Sequence, residues 1–173
     1  MEVFCSEFYI DPEKVCVPMN MNQKGIDLIK EFEGFRSEPY LCPASVPTIG
    51  YGSTRYMNGD DVRIDDSPIS EEYATYLLER DLEEREKPIK KFLARRKVEL
   101  NDNQFSAIMS FAYNVGWDRV VQRGSVRKCI VQNRISDIPK AMALYNKATI
   151  KGELVLLEGL VRRRKAEGEL FLS

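Results

Sequence analysis

The sequence predicts an α+β domain in which a small antiparallel sheet sits between a first helix and a long run of later helices. Three observations carry this. Apolar residues recur at helical spacing from Asn22 onward and again through the second half of the chain. Between about residues 40 and 68 that spacing gives way to alternation and turn residues, among them Gly50, Gly52, Asn58-Gly59 and four aspartates. The order places a cleft between this sheet lobe and a helical lobe over about residues 88–173.

Residues 1–21 hold no sustained pattern and contain Pro12 and Pro18, so they read as an arm outside the core. Within it, Cys5 and Cys16 are near enough in sequence to pair in an oxidising compartment. Asn22 to Phe32 has helical periodicity, with Gly34 as its stop. Ile26, Ile29 and Glu33 fall on one face. A carboxylate at the end of an apolar face would be desolvated and would keep a proton near neutral pH, as a general acid needs. The same position also suits an exposed glutamate of a last helical turn.

Val46 to Tyr51 reads as a strand with Ile49 and Tyr51 on one side and Thr48, Gly50 and Gly52 on the other. Thr48 then stands on a face bare of other side chains, open either to a ligand or to plain hairpin packing. Ser70 is a good N-cap for a helix through Leu77, Leu78 and Leu82, which Pro88 ends or kinks. Asn101 and Gln104 form a capping box ahead of Phe105, Ile108, Met109 and Ala112. Three further helices are expected near Val120–Asn133, Ile138–Lys147 and Glu158–Leu172.

With 173 residues, 43% apolar and 31% charged, the chain suits one globular domain or two lobes sharing a core. No apolar run reaches membrane-spanning length, and no standard secretory signal opens the sequence. The expectation is a protein made in the cytoplasm. Net charge is −1, but residues 1–86 carry −11 and residues 87–173 carry +10. Such asymmetry fits a basic cleft edge that attracts an anionic polymer, and equally two solvated surfaces that attract each other. There is no histidine, and the four cysteines lack metal spacing, so a Cys/His zinc site and Ser-His or Cys-His catalysis are excluded. Cys129 lies in an apolar helical context and reads as a small core residue.

Glu33, Cys42 and Thr48, nine and then six residues apart, stand in the run Glu31-Phe-Glu-Gly-Phe-Arg through Pro47-Thr-Ile-Gly-Tyr-Gly52. This block, the segment from Asn103 to Gly116 and the segment from Gly159 to Glu167 resemble, in order, the phage-type lysozymes of glycoside hydrolase family 24. The resemblance spans about residues 22–173 and implies a lysozyme-like fold. It implies hydrolysis of the β-1,4 bond between N-acetylmuramic acid and N-acetylglucosamine in peptidoglycan, with inversion. It makes Glu33 the general acid and gives Thr48 a hand in holding the attacking water. Cys42 takes the family's aspartate position. A thiol there acts as an anion only when ionised, and an ordinary thiol is mostly protonated at neutral pH.

Thr54, Tyr113 and Ser125 match glycan-contacting positions, with packing or capping as the competing reading for each. Arg162 is the expected partner of Glu33, with the Arg162–Lys165 segment favouring the thiolate. Two departures bear on substrate preference: Ser53 where relatives have histidine, and Tyr145 where they often have tryptophan. No cofactor, metal, nucleic acid or stable membrane insertion is implied, and a monomer acting on the cell wall after release is expected. Two alternatives stay open: a lysozyme-like domain that binds wall glycan without cutting it, and a lytic transglycosylase.

Overall fold

In the computed structural model, which describes residues 19–150 and 152–173, the first helix is α1 (Gln23–Glu33). The Asn22 side chain accepts from the Gly25 amide at 3.1 Å, and Gly34, with φ of 71°, closes the other end. The expectation of an arm over residues 1–21 fails for its last three. Met19 and Met21 pack against the core, and the Asn20 amide donates to the Asp102 carboxylate at 3.1 Å. Residues 1–18, with Cys5 and Cys16, lie outside the described residues.

The chain then forms β1 (Arg36–Leu41), which pairs antiparallel with β2 (Pro47–Gly50), Tyr40 facing Thr48 and Leu41 facing Pro47. Two isolated bridges, Ile49 with Ser53 and Arg55 with Asp61, extend the lobe. β1 was not expected as a strand. It is an edge of charged and half-exposed residues containing Pro39, so it shows no apolar alternation.

α2 (Glu71–Arg96) starts at the Ser70 cap and runs for 26 residues with Pro88 inside it. The proline does not end the helix. Leu77, Leu78 and Leu82 before the proline and Ile89 and Leu93 after it are all buried. Five such side chains contribute several kcal/mol, enough to offset the ~3 kcal/mol cost of an interior proline.

α3 (Asp102–Val115) opens on the anticipated capping box and buries every residue from Phe105 to Ala112. It is the central pillar, packed against α1 and against α7 (Glu158–Leu172). Between them come α4 (Asp118–Val121), α5 (Ser125–Val131), a 3-10 turn over Ile135–Asp137, and α6 (Ile138–Ala143). The single helix expected over Val120–Asn133 is split at Gly124, whose φ is 110°. A side chain there would meet the Tyr145 hydroxyl at 2.6 Å and the Arg119 carbonyl at 2.7 Å, so only glycine lets α5 dock.

The helix expected over Ile138–Lys147 ends early, at Ala143. A hairpin follows, β3 (Lys147–Ile150) with β4 (Glu153–Leu156), turning at Gly152. Ile150, Leu154, Val155 and Leu156 remain exposed on it. The main core runs from Ile29 through α2, α3 and α5 to Phe171, and a smaller one of Ile49, Val62 and Leu77 ties the sheet lobe to α2. Among the described residues no helix is long and apolar enough to cross a membrane, and no His/Cys/Asp/Glu cluster suits a metal ion.

Candidate active site

Glu33 is the last residue of α1, where the helix delivers its side chain to the junction of the two lobes. The side chain is 27% exposed, and its Oε1 accepts from Arg163 Nη1 at 2.7 Å. So Glu33 is half-sheltered beside a cation instead of desolvated among apolar groups. The expected partner, Arg162, does not make this contact. α7 turns Arg163, Arg164, Glu167 and Phe171 inward, and Arg162, one residue earlier and about 100° around the helix, faces outward. Arg162 lines a cleft of about 580 Å³ together with Glu33, Asn114, Leu157 and Gly159.

Cys42 follows β1 and heads the tight turn back to β2. Its amide donates to the Val46 carbonyl at 3.0 Å, and Ser45 sits in the left-handed region at φ 59°. This geometry aims the backbone amides of Val46 and Ala44 at the Cys42 sulfur, which lowers the thiol below its ordinary value, with help from Thr48. The basic segment of α7, expected to favour the thiolate, has no part in this. Cys42 is half-exposed, and Cys129 is buried in the core, where burial raises its thiol.

Thr48 faces Tyr40 across the strand pair and is buried, with 3% exposure. Its hydroxyl donates to the Val46 carbonyl at 2.9 Å. With one hydrogen, that hydroxyl serves either this carbonyl or the Cys42 sulfur. The bare face expected beside Thr48 is covered. A Cβ on Gly50 would lie 2.9 Å from Ala74 Cβ of α2, and one on Gly52 would lie 3.2 Å from the Tyr113 hydroxyl. The glycines admit a helix and a tyrosine, not a ligand.

Tyr40 links the site's two halves, since Glu33 and Cys42 both act electrostatically on its phenol, which burial pushes up. Sequence reading missed this tyrosine because nothing marked β1 as a strand. Tyr113 lies near Glu33, donates from its hydroxyl to the Tyr51 carbonyl at 2.9 Å, and stacks under Arg85. Thr54 is exposed on the sheet lobe. The Ser125 hydroxyl donates to the Ala141 carbonyl at 2.9 Å, joining α5 to α6. Ser53 is fully buried and donates to Asp81 at 2.8 Å, and Tyr145 stacks edge-on against Phe111.

A model of the phage lysozyme family matches residues 30–167, from α1 to the buried Glu167. The chain belongs to the phage lysozymes. The endolysin of Acyrthosiphon pisum secondary endosymbiont phage 1 is 33% identical over 156 residues, covering 90% of this chain and 99% of that one. Among solved structures, the endolysin from Escherichia coli O157:H7 phage FAHEc1 is 34% identical with a TM-score of 0.76, covering 90% and 94%. A P22 lysozyme mutant is 30% identical with a TM-score of 0.74, covering 90% and 99%. The α+β lysozyme-like fold, with its small sheet lobe and larger helical part, is therefore common to this chain and those enzymes.

Proposed function

We propose that Glu33, Cys42 and Thr48 form the hydrolytic centre of this lysozyme, a peptidoglycan muramidase of the endolysin type. Glu33 protonates the glycosidic oxygen between N-acetylmuramic acid and N-acetylglucosamine. On the other side of the sugar, a water held by Thr48 gives its proton to the Cys42 thiolate as it attacks the anomeric carbon. The product forms with inversion, because the thiolate activates water and does not itself bond to the sugar.

The observation that supports this most is the turn around Cys42. The Val46 and Ala44 backbone amides lower the Cys42 thiol, which supports a cysteine carrying the negative charge in the aspartate's place. Arg163 orients Glu33 from the neighbouring helix α7. Arg162 and the exposed Thr54 are placed to meet the glycan at the rim, and Tyr113 supports the strand end through Tyr51. The enzyme acts on the cell wall, as a monomer and without cofactor.

Wild-type protein should clear purified cell walls and Glu33→Gln should not. Proton NMR of the first products should show the inverted anomer. Retention would overturn the water-activating role of Cys42, and 1,6-anhydro ends would mean a transglycosylase.

A further inference from the structure

Behind the Glu33–Arg163 contact lies a buried ionic group that hydrolysis itself does not require. Glu167 is fully buried on α7, with Arg163 one turn before it and Arg164 beside it, each no more than 3% exposed. Its Oε1 accepts from Arg163 Nε at 3.2 Å, from Arg164 Nη2 at 2.9 Å and from the Ser110 hydroxyl of α3 at 2.9 Å. Arg164 Nε also approaches its Oε2 at 2.8 Å. Arg163 Nη2 donates to the Ser110 carbonyl at 3.3 Å. The planar fork of Arg163 is thus held at two edges, and Nη1 is left pointing at Glu33.

Two guanidiniums next to a catalytic acid present a problem. An unbalanced cation pair would hold Glu33 ionised and deny it the proton it must donate. Glu167 removes the problem by balance: with Glu33 ionised the group of four sums to zero, and with Glu33 protonated it carries a single positive charge. Without Glu167 those sums become +1 and +2. We propose that Glu167 is a positioning residue for Glu33, fixing the Arg163 guanidinium from behind and offsetting its charge beside the acid. Burial raises the Glu167 carboxyl against the pull of Arg164, Arg163 and Ser110, while its contacts with two permanent guanidiniums favour the charged form.

The other groups around Glu33 are few. α1 adds Glu31; α7 adds Glu158 and Arg162 at the cleft; β1 brings Tyr40, with Cys42 beyond it. α3 brings Tyr113, backed by Arg85 and Asp81 of α2. Arg36 stacks on Tyr40, and Tyr113 feels the Arg163 charge, but the ion pairs of Arg163 are with Glu33 and Glu167.

This inference builds on Glu33 as the proton donor, and its test reads the two separately. Carbon-13 NMR of labelled glutamate follows the Glu33 carboxyl with pH, and wall clearing gives the pH–rate profile. Glu167→Gln keeps shape and an acceptor but removes the charge. The Glu33 midpoint should fall by about one pH unit, and the alkaline limb of the rate should fall with it. Arg164→Gln removes a cation and should move both the opposite way, and Glu167→Asp should restore the wild-type midpoint. If Glu167→Gln does not fold, Arg164→Gln decides alone. Unchanged midpoints, or shifts of both variants in one direction, overturn the proposal as a merely structural ion pair would. Midpoints that move while the rate limb stays put would uphold the charge balance and remove Glu33 from the donor role.

Discussion

Gly50→Ala should destabilise the protein by about 2–5 kcal/mol, and the estimate comes from two separate terms. Gly50 has φ of 65°, a left-handed conformation that costs a residue with a Cβ about 1–2 kcal/mol. The added methyl would also lie 2.9 Å from Ala74 Cβ and 3.4 Å from Ala74 Cα, inside contact distance. Overpacking of this kind costs about 1–3 kcal/mol, because β2 or α2 must give way. For a domain of this size each kcal/mol lowers Tm by roughly 2–4 °C, so melting followed by circular dichroism should drop by about 4–20 °C. Ala74→Gly removes the clash but not the backbone strain. In a double-mutant cycle the pair should therefore show a favourable coupling of about 1–2 kcal/mol. Activity should fall along with stability, since Thr48 sits two residues back on the same strand. A Gly50→Ala variant melting within about 2 °C of wild type would refute the claim that this glycine exists to admit α2.

Four further outcomes are expected. Alkylation by iodoacetamide should modify Cys42 well before the buried Cys129, with a midpoint below that of a free thiol. Mass spectrometry of the modified peptides checks this, and equal rates would count against the amide-stabilised thiolate. Cys42→Ser should lower wall clearing by about 100-fold or more, and Cys42→Asp should stay within about tenfold of wild type, by turbidity assay. Arg163→Ala should destabilise by about 2–4 kcal/mol, because it removes one of the two buried cations that pair with Glu167. Arg162→Ala should leave denaturant midpoints within about 0.5 kcal/mol of wild type.

The legible parts of this chain are those whose signals are local. The Asn22 cap, the Asn101–Gln104 box and the glycine after α1 each sit within a few residues of what they control, and those helices begin and end where the sequence places them. β1 is hidden because an exposed edge strand with charges and a proline has no apolar alternation to read. Pro88 misleads in the other direction, since its local penalty is outweighed by burial of residues from distant helices.

The same division runs through the site. Glu33, Cys42 and Thr48 lie close together in the sequence and stand out as a motif. The choice between Arg162 and Arg163 depends on how α7 is rotated, which only packing against α3 decides. Reading α7 by its buried face, with Glu167 and Phe171 inside, would have pointed to Arg163. The bare look of Gly50 and Gly52 fits a ligand surface and a helix contact equally well, and only the position of Ala74 and Tyr113 separates the two.

The contact between Glu33 and Arg163 joins residues 130 positions apart, so the earliest part of the centre to be synthesised is completed by one of the latest. While a ribosome is still extending the chain, α1 and the first hairpin already carry Glu33, Cys42 and Thr48. They lack Arg163 and the Glu167 behind it. The Glu33–Arg163 contact therefore forms only once α7 has emerged and docked on α3.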